Sequence, residues 1–370
     1  MSGEKTGIWA TASMFKGNKN GTLEDKRSLF EQVRVLIADN DARTADLVRR
    51  VLFSFGFRHI LIADNGQDAI QIMRSRKIDL IITEWRLKVG DGIGFIEAVR
   101  SNRDDPCIRR DVPIIMLTAQ AELEDVARSR DAGVSEFLVK PFSAKTLSNR
   151  IIQVVDNPRV FVEAKDYVGP CRRRKAPAPN GVERRSPPKI TMQKDAKGNS
   201  LFASITALVK IESRPKAEIY APNASISHNI GSKASEILTD KVIAQAQESL
   251  MAAEGDFLDW ARDDIARLES AYEEMRTRPG DSVAHHLIMS TAYSIKAQAG
   301  MFGYQLGTEI GGLLVLYLQQ NPMIDAQRLV VVRKCIDTIQ VIFNQKMKHA
   351  DPKIGHEMLQ SLKTLIHKIG

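Results

Sequence analysis

The chain has 370 residues, 43% of them hydrophobic and 26% charged, with a net charge of +8. That composition is ordinary for a globular protein and leaves room for two or three domains. No apolar run approaches the ~18 residues of a membrane span, which excludes an integral membrane protein, and three distant cysteines, Cys107, Cys171 and Cys335, exclude a disulfide framework.

In chain order, residues 1–30 are polar and aperiodic, which predicts a disordered N-terminal tail. The opening residues lack the roughly 7–15-residue apolar core of a signal peptide, and an odd number of well-separated cysteines suits a reduced, cytoplasmic setting. From Val33 onward short apolar runs recur: VRVLIAD (33–39), HILIAD (59–64), DLIITEW (79–85), VPIIMLT (112–118) and EFLVK (136–140). Segments of helical period, such as TADLVRRVLFSF and GFIEAVRS, lie between them. Strands alternating with helices predict βαβ units and a parallel sheet. Residues 31–155 therefore read as a (βα)5 doubly wound domain, the α/β part of an α/β plus all-α chain.

Residues 156–236 break the rhythm with paired prolines and repeated arginines, which predicts a flexible linker. Between Arg159 and Lys197 eleven Lys/Arg face four Asp/Glu, so nearly all of the basic excess sits there. Within it, VFVEAKDYV is a candidate ordered arm that docks back on the first domain. Residues 237–370 are helical. Leu258, Ala261, Ile265, Leu268, Tyr272 and Met275 follow 3-4 spacing, as do Leu329, Val332, Ile336, Ile339 and Phe343. Breaks near Arg278–Gly280, Gly303 and Asn321–Pro322 predict a bundle of four or five helices.

In a doubly wound sheet the functional groups gather beyond the carboxyl ends of the strands. Here those ends present Asp39, Asn40 and Asp41, then Glu84, Thr118 and Lys140. Neighbouring carboxylates repel unless a divalent cation or the lysine offsets them. Oxygen ligands with retained water suit Mg²⁺. A carboxylate beside such a cation, a lysine and a hydroxyl is equipment for receiving a phosphoryl group.

The pieces VLIADND, DLIITEWRLKVGDGIGF, PIIMLTA and FLVKPF, in this order, resemble the response-regulator receiver domain of two-component signalling. The resemblance implies that Asp39 and Asn40 hold the acidic metal-ligand positions and that Glu84 stands at the phosphoacceptor aspartate. It implies the Arg86 backbone carbonyl as a further ligand of a weak Mg²⁺ site. Thr118 is then the switch hydroxyl, Phe137 the switch aromatic and Lys140 the phosphate-contacting lysine. Two positions depart from the family: Asn40 removes one negative charge, and Glu84 is longer by a methylene. Three readings of Glu84 stay open. It marks a pseudo-receiver that imitates the phosphorylated state, a receiver phosphorylated poorly on glutamate, or a substitution without functional logic.

On the helix around 283–302, Ile288, Ile295, Ala299 and Phe302 form one stripe. His286, Met289, Tyr293, Lys296 and Gly300 form the opposite one, which predicts an outward face with room for a partner. The stretch AYSIKAQAGMFG resembles the histidine phosphotransfer (HPt) motif, with Tyr293 at the histidine, Lys296 at the lysine and Ala297 at a usual glycine. A tyrosine, with a pKa near 10, cannot take part in histidine–aspartate exchange. His285 and His286 read as ordinary solvated or partly packed histidines.

The joint expectation is a signalling adaptor without enzymatic activity, which binds a histidine kinase, HPt or receiver proteins of a phosphorelay without carrying phosphate and takes no small-molecule substrate. The basic linker also suggests a regulator associated with nucleic acid or a membrane. No DNA-reading element accompanies it, so a nucleic-acid partner ranks low.

Overall fold

The computed structural model describes residues 28–88, 90–119, 123–172, 209–210, 218–220, 223–348 and 352–369. Five parallel strands, β1 (Arg34–Ala38), β2 (His59–Ala63), β3 (Leu80–Glu84), β4 (Ile114–Thr118) and β5 (Glu136–Val139), form a sheet in the order β2-β1-β3-β4-β5. Helices α1 (Ala42–Phe55), α2 (Gly66–Ser75), α3 (Gly92–Ser101), α4 (Leu123–Ala132) and α5 (Ala144–Asp156) follow the strands in turn. The expected doubly wound fold is therefore present. Its cause is visible in the alternation of side chains along each strand. Val35, Ile37, Leu80, Ile82, Ile115 and Leu117 face α1 and α5, whereas Leu36, Ile81, Ile114 and Met116 join Trp85, Ile96 and Val99 in a separate core on the other face. Both faces are covered, as an all-parallel sheet requires.

Two boundaries move. Ser28–Gln32 form a 3-10 turn whose Phe30 is buried and stacks on Phe57 at 4.4 Å, so the end of the expected tail belongs to the domain. The rest of that tail, residues 1–27, lies outside the described residues. The expected linker, 156–236, is ordered at both ends. Its first part forms a hairpin of β6 (Phe161–Ala164) and β7 (Tyr167–Pro170), which joins β8 (Val209–Lys210) and β9 (Glu218–Tyr220) in an antiparallel sheet. Glu163 ties this hairpin to the first domain through Arg103, at 2.6 Å, and Arg110. VFVEAKDYV is thus the docking arm read from the sequence. Residues 173–208, which carry most of the basic run, lie outside the described residues.

The helical part begins with α6 (Ser225–Ile230) and α7 (Ala234–Ile237), ahead of the expected start at 237. Asp156, at the end of α5, accepts from the Ala234 and Ser235 amides at 2.6 and 3.0 Å and so fixes the entry to α7. There follow α8 (Asp240–Met251), α9 (Glu254–Thr277), α10 (Ser282–Ala299), α11 (Gln305–Gln320), α12 (Leu329–Asn344) and α13 (Pro352–Ile369). That is six long helices among the described residues rather than four or five. The surplus has a physical origin. Helix α8 buries Val242, Ile243, Ala246 and Leu250 against α1 and α5 of the first domain, leaving the five helices α9–α13 to form the bundle. Its residues link the α1/α5 side of the sheet and the bundle interior into one continuous apolar core.

Candidate functional site

Three side chains meet beyond the carboxyl edge of the sheet. The Lys140 ammonium donates to Asp39 Oδ2 at 3.0 Å and pairs with Glu84 Oε2 at 2.5 Å. Lys140 and Asp39 are buried, and Glu84 is nearly so. The remaining oxygens are also engaged: the Asp41 amide donates to Asp39 Oδ1 at 2.9 Å, and the Trp85 amide donates to Glu84 Oε1 at 2.6 Å. The length of the glutamate matters here, because one oxygen reaches the lysine while the other returns to the next backbone amide. Thr118 is buried at the end of the adjacent strand, where β4 pairs with β3 through Leu117 and Glu84. Phe137 is partly buried on the opposite face from α1 and α5, and Asn40 is exposed.

The loop after β3 holds Glu84 in place. The Asp91 carboxylate caps α3 by accepting from the Gly94 amide at 2.6 Å, and the Gly92 amide donates to the Trp85 carbonyl at 2.7 Å. A Cβ on Gly92 would lie 2.1 Å from the Glu84 carbonyl oxygen. Only glycine permits that approach.

Fully ionised, this triad carries one net negative charge in a buried place, which favours uptake of a proton. Burial pushes the Asp39 carboxyl up to about 7; the Lys140 charge opposes the shift and the Glu84 charge adds to it. For Lys140 burial disfavours the ammonium, but Asp39 and Glu84 together outweigh it and hold the lysine above its ordinary range.

The expected Mg²⁺ set is met only in part. Asp39 and Glu84 are together, but each of their oxygens already accepts from, or is paired with, a nitrogen, and an ammonium stands between them. Among the described residues no three His, Cys, Asp or Glu side chains are grouped to hold a metal. As arranged, the residues do not fit a divalent cation, which would have to displace Lys140 from its carboxylates.

On the second domain, Ile288, Ile295, Ala299 and Phe302 are buried in the bundle as expected. The opposite stripe of α10 was read as an outward face, and the structure corrects this. The Arg86 guanidinium stacks on the Tyr293 ring at 4.5 Å, and Gln319 donates to the Tyr293 hydroxyl at 2.8 Å. Lys296 donates to the Ala119 carbonyl at 3.2 Å, Ala297 is buried, and Gly300 abuts Pro141. Gln298 donates to Asp41 Oδ2 at 2.6 Å. From Tyr293 onward the stripe faces the first domain, whereas His286 at its start is exposed as expected. His285 lies near the Asn321 carbonyl and His286 near the Ser282 carbonyl, away from the triad, as ordinary histidines.

A profile of the response regulator receiver domain matches residues 35–152. These residues are a receiver domain of two-component signalling. They are similar to chemotaxis protein CheY-3 of Vibrio cholerae, with 27% identity over 128 residues, 35% of this chain and 95% of that one. Chemotaxis protein CheY of Pseudomonas aeruginosa is 27% identical over 124 residues, 34% of this chain and 97% of that one. Among solved structures, the receiver domain of a Pseudomonas aeruginosa sensor histidine kinase, with a magnesium ion in its active site cleft, is 29% identical. It covers 33% of this chain and 94% of its own, with a TM-score of 0.29.

Sequence reasoning missed Gly92, Ala119 and Gln298, and noted Asp41 and Pro141 without a role. Gly92 had a signal in the Asp-Gly pair that opens α3. The others lie one or two positions beyond motif residues, and nothing in their types announces a neighbour from a distant helix.

Proposed function

We propose that this chain is a two-component signalling regulator whose receiver works without carrying phosphate. The observation that carries the reading is the Glu84–Lys140 pair at 2.5 Å, with Asp39 on the same ammonium. The lysine that would meet a phosphoryl group is already neutralised by the side chain at the acceptor position. Phosphoryl transfer depends on placement, and an error of about 1 Å costs on the order of a hundredfold. Glu84 is therefore a resident substitute for the phosphorylated acceptor rather than a working acceptor. The helical bundle is a degenerate HPt-like domain on this reading. The support is the AYSIKAQAGMFG stretch and the seat of Tyr293 beside Arg86, two residues past Glu84.

Partner proteins of a phosphorelay then meet surfaces other than the two that face each other. Val126 on α4 and Val139 on β5 are exposed candidates. Magnesium enters the pocket only at the expense of the Lys140 pairs. The test is incubation of the full chain with acetyl phosphate and Mg²⁺, read by intact mass, beside the Glu84→Asp variant. An unchanged mass for the wild type is expected. A phosphoryl adduct mapped to Glu84 would replace this reading with that of a poor but working receiver.

A further inference from the structure

The site beyond the sheet's carboxyl edge has a feature that its own chemistry does not require. At each of the four strand ends that supply it, a residue one or two positions past the site residue grips α10. Past Asp39, Asp41 accepts from Gln298 at 2.6 Å. Past Glu84, Arg86 lies over the Tyr293 ring at 4.5 Å. Past Thr118, the Ala119 carbonyl accepts from Lys296 at 3.2 Å. Past Lys140, Pro141 packs so closely on Gly300 that a Cβ there would lie 2.4 Å from its Cγ.

Further contacts fix the same pose. Arg43 on α1 binds Asp264 of α9 at 2.8 Å, Lys145 on α5 binds Asp240 of α8 at 2.9 Å, and Gln247 accepts from the Ala144 amide at 3.0 Å. The Arg43–Asp264 pair is largely out of solvent on both sides, and its separation would leave the buried carboxylate with only the longer contact to Arg267 at 3.4 Å. The apolar core runs through the same boundary.

We propose that the receiver's resident partner is the chain's own helical bundle, with the last two turns of α10 from Tyr293 and the capping Gly300 closing the mouth of the Asp39–Glu84–Lys140 pocket in cis. The face that would receive another protein's phosphodonor helix is thereby occupied by a helix with no donor atom, and outside proteins reach the pocket only after α10 lifts away. A residue without a side chain is what the closure demands at Gly300, which lets the Pro141 ring pack against the helix end. Hydrogen bonding supplies the rest, since Gln298 and Lys296 donate to a receiver carboxylate and a receiver carbonyl.

This deepens the phosphate-independent reading and rests on it only for the identity of the pocket. Its test is a cysteine pair in the full chain, Pro141→Cys with Gly300→Cys. A Cβ on Gly300 would lie 2.9 Å from the Pro141 Cβ, shorter than the roughly 3.5–4.5 Å of a disulfide, so the turn at position 141 must give by about half an ångström or more for the bond to close. In dilute solution this pair should oxidise to an intramolecular bond roughly a hundredfold faster than a control pair of Pro141→Cys with Ser290→Cys. Equal rates would overturn the proposal. Should the cysteine variant not fold, amine labelling of the wild type decides. Lys296 should react about tenfold more slowly than exposed Lys145 and speed up in Gln298→Glu, where a new carboxylate meets Asp41. Lys296 reacting as fast as Lys145, or slow labelling that Gln298→Glu leaves unchanged, would equally overturn it. Neither assay reads phosphate, so a phosphoryl adduct on Glu84 would end the earlier reading and leave this one standing.

Discussion

Replacement of Lys140 by methionine tests the triad directly, because the side chain keeps its length and loses its charge. The ammonium serves Asp39 at 3.0 Å and Glu84 at 2.5 Å, and all three groups are out of solvent. Removing one member of a buried ion pair costs about 3–5 kcal/mol, because the other charge stays behind without compensation. Here two carboxylates stay behind. At pH 8 the receiver core should open more easily by that amount, and each ~1.4 kcal/mol is tenfold in an equilibrium. Hydrogen exchange at the β1 and β3 amides of the full chain reads this opening without requiring the whole protein to unfold in two states. Lys140→Met should exchange between roughly a hundredfold and a few thousandfold faster than wild type at pH 8. At pH 5.5 the gap should narrow to within about tenfold, because Asp39, already pushed up to about 7, then takes up a proton and sheds the charge. Adding Glu84→Gln to Lys140→Met should recover part of the loss at pH 8, since one stranded charge is gone. A ratio below about threefold at pH 8, or one that does not change with pH, would refute the buried triad.

The raised Asp39 pKa also fixes a sign for the wild type. The group moves from 3.8 to about 7 on folding, so its contribution is complete below the lower value and is lost as pH rises through the upper one. Exchange from the β1 amides should therefore show the receiver losing stability between pH 5 and pH 8. Asp39→Asn should flatten that slope and be the more stable of the two at pH 8. Gly92→Ala places a methyl 2.1 Å from the Glu84 carbonyl oxygen, a backbone atom that cannot step aside cheaply. A loss of about 3 kcal/mol is expected, seen as faster β3 exchange and a lower Tm, with the loop after Glu84 displaced.

The receiver half was legible because two periods in the sequence agree with each other. Alternation within VRVLIAD and DLIITEW sends Val35, Ile37 and Ile82 to one core and Leu36 and Ile81 to the other, and the helical period of TADLVRRVLFSF supplies the α1 face that covers the first. The pocket was legible for a related reason: Asp39, Glu84, Thr118 and Lys140 each end an apolar run, and strand ends converge in a doubly wound sheet. The bundle was read less well. Its apolar stripes are clear, but α8 carries a stripe indistinguishable from theirs and spends it on the receiver.

The docking of the two halves was illegible, and the reason is physical rather than accidental. Periodicity reports which side of a helix is apolar. It is silent about a polar stripe that meets another polar surface. Lys296 and Gln298, two residues apart and so on different sides of α10, both read as solvated from their type alone, yet each donates to the receiver, Lys296 to the Ala119 carbonyl and Gln298 to Asp41. Gly300 was the one visible clue. A glycine at the end of an amphipathic helix reads as a helix terminator, yet this one has φ −67°, an ordinary helical value. It therefore needs no glycine for its backbone conformation, and what excludes a side chain there is Pro141 of the receiver together with Thr308. Replacing Gly300 by leucine should then perturb the receiver's β5–α5 turn as well as the bundle. A Gly300→Leu chain whose exchange changes only in α10 and α11 would show that the residue serves the bundle alone.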